Sequence, residues 1–255
     1  MNPREMKNNR QRSTIKILLF VGFISIISFP VDAVAQSSPP LLLDDTGTLG
    51  PGNWEINVLA SLEHATRNDE WQVPLFDINY GLGDRGQVTV GLPYVVDRDK
   101  DSKVHQGIDG MEVGIKYRFM DHSSSSGSSF SCCPKVYYSF EKENKSELLL
   151  PVEWHREWSR FGLTAEAGHV WVQSKSEGWE GGLATAVYFK SFDLSAEWHT
   201  AVQEAPFDLS EPMVNVGLVW EWSEAISSYF SLGKSLHSHD EETNLWSLVG
   251  IQFLL

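Results

Sequence analysis

The sequence has few of the features that mark helical membrane proteins, metal proteins and hydrolases. After residue 36 no apolar run is long enough for a membrane-spanning helix, and no helical period with caps appears. Cys132 and Cys133 are the only cysteines, and an adjacent pair has too few ligands for zinc. They form either a vicinal disulfide or two free thiols in a mobile turn. No Gly-x-Ser-x-Gly motif is present. We therefore predict no enzyme activity, no metal and no cofactor.

Residues 1–35 have the order of segments found in a secretory signal peptide. A basic leader ends at Lys16, an apolar run covers residues 17–29, and small residues at 33–35 follow. The apolar run is too short to span a bilayer as a helix, so we expect cleavage near Ala35; an uncleaved anchor is the alternative. Without residues 1–35 the chain keeps 15 basic and 32 acidic groups, a net charge of −17. Such a charge repels phosphates and excludes nucleic acid as a partner.

Residues 107–119, GIDGMEVGIKYRF, show the pattern that dominates the rest of the chain. Apolar residues such as Ile115 alternate with glycines and charged residues such as Glu112 and Lys116, which is the period of a β-strand. The alternation recurs over twelve segments, most of them ten to twelve residues long, the length of a tilted strand that crosses a membrane. The predicted strands are 53–64, 71–80, 87–96, 108–119, 135–142, 147–157, 161–172, 179–189, 192–202, 213–222, 226–236 and 244–255.

The connections alternate between short turns and longer polar loops, as in outer-membrane barrels. Residues 120–134, which include SSSSGSS, interrupt this order and are predicted to be a flexible insertion. Aromatic residues border the short turns, as in the girdle of a membrane interface. These are Tyr80, Tyr117, Phe119, Trp154, Trp158, Phe189, Phe192, Trp220 and Trp222. We predict an all-β chain: a transmembrane antiparallel β-barrel of about 12 strands over residues 53–255, after a cleaved signal peptide. A large soluble sandwich is the alternative.

An outer-membrane barrel has two expected partners besides its solute: outer-membrane lipid and the barrel-assembly machinery. Strands inserted by that machinery usually end on an aromatic residue. Here the chain ends on Leu255, and Phe253 lies two residues earlier. The last segment keeps its alternation, so it is still predicted to be a strand.

The polar face of the predicted strands supplies the candidate site residues. The lumen-lining candidates are Glu55, Asp77, Glu112, Lys116, Arg118, Glu153, Glu197 and Glu221. They form either a packed polar interior of ion pairs or an acidic channel that disfavours anions. Lys116 and Arg118 beside Glu112 suggest structural pairing. Residues 36–52, with Asp44 and Asp45, are either a periplasmic tail or a lumen plug. The loop at residues 237–242 is interpreted as solvated rather than metal-binding.

Three segments together resemble the MetA-pathway of phenol degradation family of outer-membrane transporters. They are residues 43–55, 73–93 and 107–119. Where the family has a Pro-Thr-Gly-like turn, this chain has Glu-Asn-Lys-Ser at 143–146. The resemblance implies a barrel for passive uptake of a small, aromatic or hydrophobic solute. Two alternatives remain: a structural or surface-interaction barrel with a closed lumen, and an outer-membrane enzyme.

Overall fold

The computed structural model describes the chain from residue 40 to its carboxyl end, with gaps. The described residues are 40–66, 68–99, 104–121, 127–140, 146–173, 177–203, 208–236 and 243–255. The predicted signal peptide, residues 36–39 and the loop at 237–242 lie outside this set. None of the described residues belongs to a helix long and apolar enough to cross a membrane.

Fourteen β-strands account for most of the described residues. They are β1 (Trp54–Ala65), β2 (Asn68–Leu82), β3 (Gly86–Asp99), β4 (Val104–Gly107), β5 (Gly110–Met120), β6 (Ser128–Cys132), β7 (Lys135–Ser139), β8 (Glu147–Trp158), β9 (Phe161–Val172), β10 (Gly178–Tyr188), β11 (Phe192–Gln203), β12 (Asp208–Ser223), β13 (Ile226–Ser235) and β14 (Thr243–Leu254).

The sheet closes on itself because β1 pairs with both β2 and β14. At this seam the backbone N–H of Trp54 donates to the carbonyl of Leu255 at 2.9 Å, and the N–H of Leu255 donates back to Trp54 at 2.8 Å. All the strand pairings around the ring are antiparallel. The described strands therefore form a closed barrel without an open edge.

Two of the barrel strands are interrupted, so fourteen segments make twelve strands. β4 and β5 follow each other along the same neighbour, β3. In the same way, β6 and β7 share the place between β5 and β8. The ring is a closed twelve-strand antiparallel barrel, which confirms the fold class and strand count predicted from the sequence.

The two faces of the strands differ in the way that the alternation predicts. In β5, Ile115 is 57% exposed on the outside, whereas its neighbour Lys116 is 3% exposed. In β8, Val152 is 53% exposed, whereas Glu153 is fully buried. An apolar outer face and a polar inner face suit a barrel with lipid around it.

Aromatic side chains gather where the short turns join the strands. Phe189 stacks on Phe192 with ring centroids 4.4 Å apart, and Phe192 stacks on Trp220 at 5.8 Å. Trp54 of β1 packs against Tyr80, its partner on β2, with ring centroids 4.6 Å apart. These rings form a band across neighbouring strands, and Trp54, Phe189 and Trp220 are exposed, as expected of an interfacial girdle.

The predicted insertion over residues 120–134 is too long. Residues 128–132 form β6, and the strand predicted to begin at residue 135 begins at residue 128. Ser129 and Ser131 are buried on the inner face while Phe130 is exposed between them, so a short alternation is present within the serine-rich stretch. The adjacent Cys132 and Cys133 are free thiols in a packed wall, the first in β6 and the second buried, rather than in a mobile turn.

We expect Ile115→Arg to prevent assembly of the barrel. Ile115 lies on the outer face, and a cation facing lipid near the midplane costs about 2–4 kcal/mol. The measurement is the amount of folded protein in the outer-membrane fraction, read from heat-modifiable migration on gels.

Val104→Arg is the matched control, because Val104 is 59% exposed but starts β4 at the loop end of the barrel. Normal assembly of both variants would contradict the assignment of the outer face.

Candidate functional site in the barrel interior

Residues 40–49, called the inner segment from here on, lie inside the barrel. Leu43 is 2% exposed, Thr46 4% and Leu49 8%. Their neighbours are inward-facing side chains of strands spread around the ring, from β3 and β5 to β9 and β11. A segment that contacts both sides of the ring occupies its interior. The structure therefore places Asp44 and Asp45 within the barrel.

Two wall carboxylates hold the backbone of the inner segment. Glu197 accepts from the N–H of Leu42 at 2.8 Å and from the N–H of Leu43 at 3.1 Å. Glu166 accepts from the N–H of Asp44 at 2.8 Å. Hydrogen bonds to ionised groups are stronger than neutral ones, so the β9 and β11 side of the wall fixes the path of the backbone.

Two lysines on the other side of the wall hold the acidic side chains of the inner segment. Lys116 donates to the carbonyl of Asp45 at 2.8 Å, and its Nζ lies 3.3 Å from Asp45 Oδ1. Nζ of Lys135 lies 2.6 Å from Asp44 Oδ2. A buried charge is tolerated only when it is paired. Asp44 and Asp45 therefore supply the carboxylates that these two lysines need.

Glycines let the chain that enters the barrel approach the wall closely. A Cβ at Gly81 would lie 1.7 Å from the carbonyl oxygen of Gly50, and one at Gly217 would lie 2.5 Å from Pro40 Cγ. Side chains at these two wall positions would collide with residues 40 and 50. The wall is thus shaped to admit both ends of this stretch.

Polar side chains of β1, β2 and β3 form a network beside the inner segment. Asn57 donates to Glu55 at 2.8 Å and to Asp77 at 2.9 Å. Asn79 donates to the same two carboxylates at 3.2 and 3.1 Å. The network gives Glu55 Oε1 and Asp77 Oδ2 two donors each, in an interior that the closed barrel removes from bulk water. Glu55 Oε2 is buried without a hydrogen-bond partner among the described residues.

A cavity of about 180 Å³ remains between the inner segment and this wall. Its lining combines apolar and charged side chains. The apolar ones are Leu41, Leu42, Leu59 and Leu248, and the charged ones are Asp44, Glu55, Asp77, Glu112, Lys116 and Lys135. Leu59 and Leu248 belong to an interior apolar cluster with Met213, Tyr229 and Trp246. The cavity can hold a small group that has both apolar and polar parts.

The structure brings most of the predicted lumen-lining residues together. Six of them face the interior around the inner segment: Glu55, Asp77, Glu112, Lys116, Glu153 and Glu197. Arg118 lies towards the short-turn end, where it donates to the carbonyl of Asp84 at 2.9 Å and lies 3.3 Å from Asp121. Glu221 is exposed near the end of β12. Lys116 and Arg118 were predicted to pair with Glu112. Instead, Lys116 pairs with Asp45 and Arg118 with Asp121.

Sequence reasoning missed Lys135 and Gln87 as site residues. Gln87 accepts from the N–H of Leu49 at 3.2 Å and donates to Asn79 at 3.0 Å. Both missed residues open predicted strands on the polar face, so the alternation itself was the signal that could have identified them. Their inner-segment partners lie far away in sequence, and no local pattern reveals such pairs.

Comparison with known proteins supports the fold. No protein-family model matches the chain, and no curated protein matches it. Among solved structures, an outer membrane channel from Pseudomonas putida F1 is 8% identical, with 83% of this chain and 98% of that chain covered and a TM-score of 0.65. The KdgM porin is 11% identical, with 78% and 98% covered and a TM-score of 0.55.

At these identities the similarity shows the fold alone. The closed ring of twelve strands, its apolar outer face and its polar interior define a porin-like β-barrel. The chain accordingly has the fold of bacterial outer-membrane β-barrels. The resemblance to the MetA-pathway family is tested by none of these findings and stays a prediction.

We expect Gly217→Ala to displace the start of the inner segment. The new Cβ would lie 2.5 Å from Pro40 Cγ and 2.6 Å from Ser195 Oγ, and such overpacking costs about 1–3 kcal/mol. The measurements are the melting temperature and the rate at which proteinase K cleaves within residues 40–49.

Gly114→Ala is the control, because its Cβ would meet Lys135 Cγ at 3.4 Å and Cys133 Sγ at 3.5 Å, which are ordinary contacts. Equal cleavage rates in the two variants would contradict the close approach of Pro40 to the wall.

Proposed function

We propose that this protein is an outer-membrane channel for the passive uptake of a small solute. The observation that carries the proposal is the occupant of the lumen. Wall side chains can nearly fill the interior of a small barrel, but here the interior also accommodates the backbone and side chains of the inner segment. A lumen of that width provides a solute path when the inner segment moves.

The inner segment is proposed to be the plug of this channel. Its contacts with the wall are hydrogen bonds and ion pairs, which water and mobile ions can replace. Only part of the segment packs as an apolar core: Leu43 and Leu49 are buried, and Leu41 and Leu42 border the cavity. Such an attachment suits a segment that leaves and returns without unfolding the barrel.

The proposed solute is small and neutral or cationic, with an aromatic or hydrophobic part. The carboxylates around the cavity outnumber its two lysines, and an acidic lumen disfavours anions. Leu41, Leu59 and Leu248 add apolar surface to the charged lining. The resemblance to transporters of the phenol-degradation family supports an aromatic solute.

The second candidate function is a structural or surface-interaction barrel whose lumen stays closed. The dense anchoring of the inner segment by Glu166, Glu197, Lys116 and Lys135 favours it. An enzymatic role is not proposed.

Lys116→Met tests the channel in planar lipid bilayers. The side chain keeps its length but loses its bonds to Asp45, and hydrogen bonds of a charged group contribute about 1.5–3 kcal/mol each. Since about 1.4 kcal/mol corresponds to a factor of ten, we expect open steps to be at least about tenfold more frequent than in the wild type.

Lys234→Met is the matched control, because Lys234 is exposed. It should leave the step frequency unchanged. If Lys116→Met inserts normally and shows no steps, the closed structural barrel is favoured and the channel proposal is wrong.

A further inference from the structure

The register of β8 and β9 sets two carboxylates against each other inside the barrel. Glu153 is the direct partner of Glu166 in this antiparallel pair. Glu153 is fully buried and Glu166 is 9% exposed. Like charges directly opposite on neighbouring strands are destabilising, and burial strengthens the repulsion because water screens it less. The pair needs a positive charge close by.

The inner segment adds a third carboxylate to this pair instead of a cation. One carboxylate oxygen from each of Asp44, Glu153 and Glu166 lies within 4.8 Å of the other two. Ca²⁺ binds oxygen ligands at about 2.3–2.6 Å, so ligands on opposite sides of the ion are about 5 Å apart. The spacing of the three oxygens therefore suits a common ion of this size.

One carboxylate oxygen of Glu153, a member of the cluster, has no hydrogen bond among the described residues. Glu153 Oε2 accepts from the hydroxyl of Ser131 at 2.6 Å. Oε1 is buried, and no donor among the described residues reaches it. Leaving a buried carboxylate oxygen unsatisfied costs free energy. The unused oxygen of a fully buried side chain points to a ligand that binds to the cluster.

The lysines nearby do not balance the charge of the interior. Nζ of Lys135 lies 2.6 Å from Asp44 Oδ2. Lys116 is engaged with Asp45. The adjoining cavity is lined by four carboxylates and these two lysines, and Glu153 and Glu166 add to the excess of negative charge.

We propose that Asp44, Glu153 and Glu166 form a binding site for Ca²⁺. Carboxylate and hydroxyl oxygens are the ligands of hard cations, and Ca²⁺ accepts irregular sets of six to eight oxygens. The ion bridges β8 and β9 to the inner segment through Asp44. It removes the cross-strand repulsion and attaches the inner segment to the wall.

Calorimetric titration of the full-length protein tests the site. The folded protein in detergent micelles is first treated with EDTA and then titrated with CaCl₂. We expect one Ca²⁺ per chain. Glu153→Gln and Glu166→Gln should each weaken binding at least about tenfold, since even the outer-shell partners of metal sites contribute about 10–100-fold to affinity.

Glu224→Gln is the control, because Glu224 is an exposed carboxylate in the turn before β13. Its binding should equal that of the wild type. Far-UV circular dichroism confirms that each variant is folded. No binding by the wild type overturns the proposal, and so does equal binding by all variants, which would indicate weak association with the acidic surface.

The melting temperature gives a second readout that does not depend on the calorimetry. In EDTA, Glu153→Gln should melt higher than the wild type because it lacks the unpaired carboxylate. CaCl₂ should raise the melting temperature of the wild type but not of this variant. If CaCl₂ leaves the melting temperature of the wild type unchanged, protons rather than Ca²⁺ neutralise the cluster, and the proposed calcium site is wrong. Neither readout requires conduction, so the channel proposal and the calcium site can fail separately.

Discussion

The seam between β1 and β14 is the constraint on which the rest of the structure depends. A bilayer offers no water to unpaired backbone groups, so a sheet can cross it only as a closed ring. The reciprocal bonds between Trp54 and Leu255 close that ring next to the end of the chain. Once the ring is closed, successive residues along each strand point alternately to the lipid and to the interior. The residues on the inward-pointing face, the second face, therefore determine the composition of the interior.

That second face is strongly charged, and its charges are arranged unevenly around the ring. Lys116 and Lys135 belong to β5 and β7, whereas Glu166 and Glu197 belong to β9 and β11. The inner segment matches both sides, since its backbone N–H groups meet the glutamates and its aspartates meet the lysines. A peptide that replaced the inner segment would need backbone N–H donors and acidic side chains in the same order.

The strands were predictable because their signal is local, while the interior contacts were not. Period-two alternation located all twelve barrel strands, eleven of them to within about five residues at their ends, and it put Glu55, Glu153 and Glu197 on the inner face. It failed at residues 128–132, where serines resemble a loop by composition but fit a packed wall. The position of residues 36–52 was left open between a periplasmic tail and a lumen plug. The contacts of the inner segment join residues far apart in sequence, such as Leu43 and Glu197, and no spacing rule reports them.

Because the interior charges are arranged unevenly, the presence of the inner segment in the lumen is linked to the ions there. If the inner segment leaves, Lys116 and Lys135 lose their aspartates, and Glu166 and Glu197 lose the N–H groups that they bind. Water and mobile ions must then compensate these four charges. The free energy of opening thus depends on what enters the lumen, whereas the apolar outer face is unchanged by it. Closure of the ring stabilises the barrel in lipid. The charged groups inside can therefore exchange their partners while the barrel stays folded.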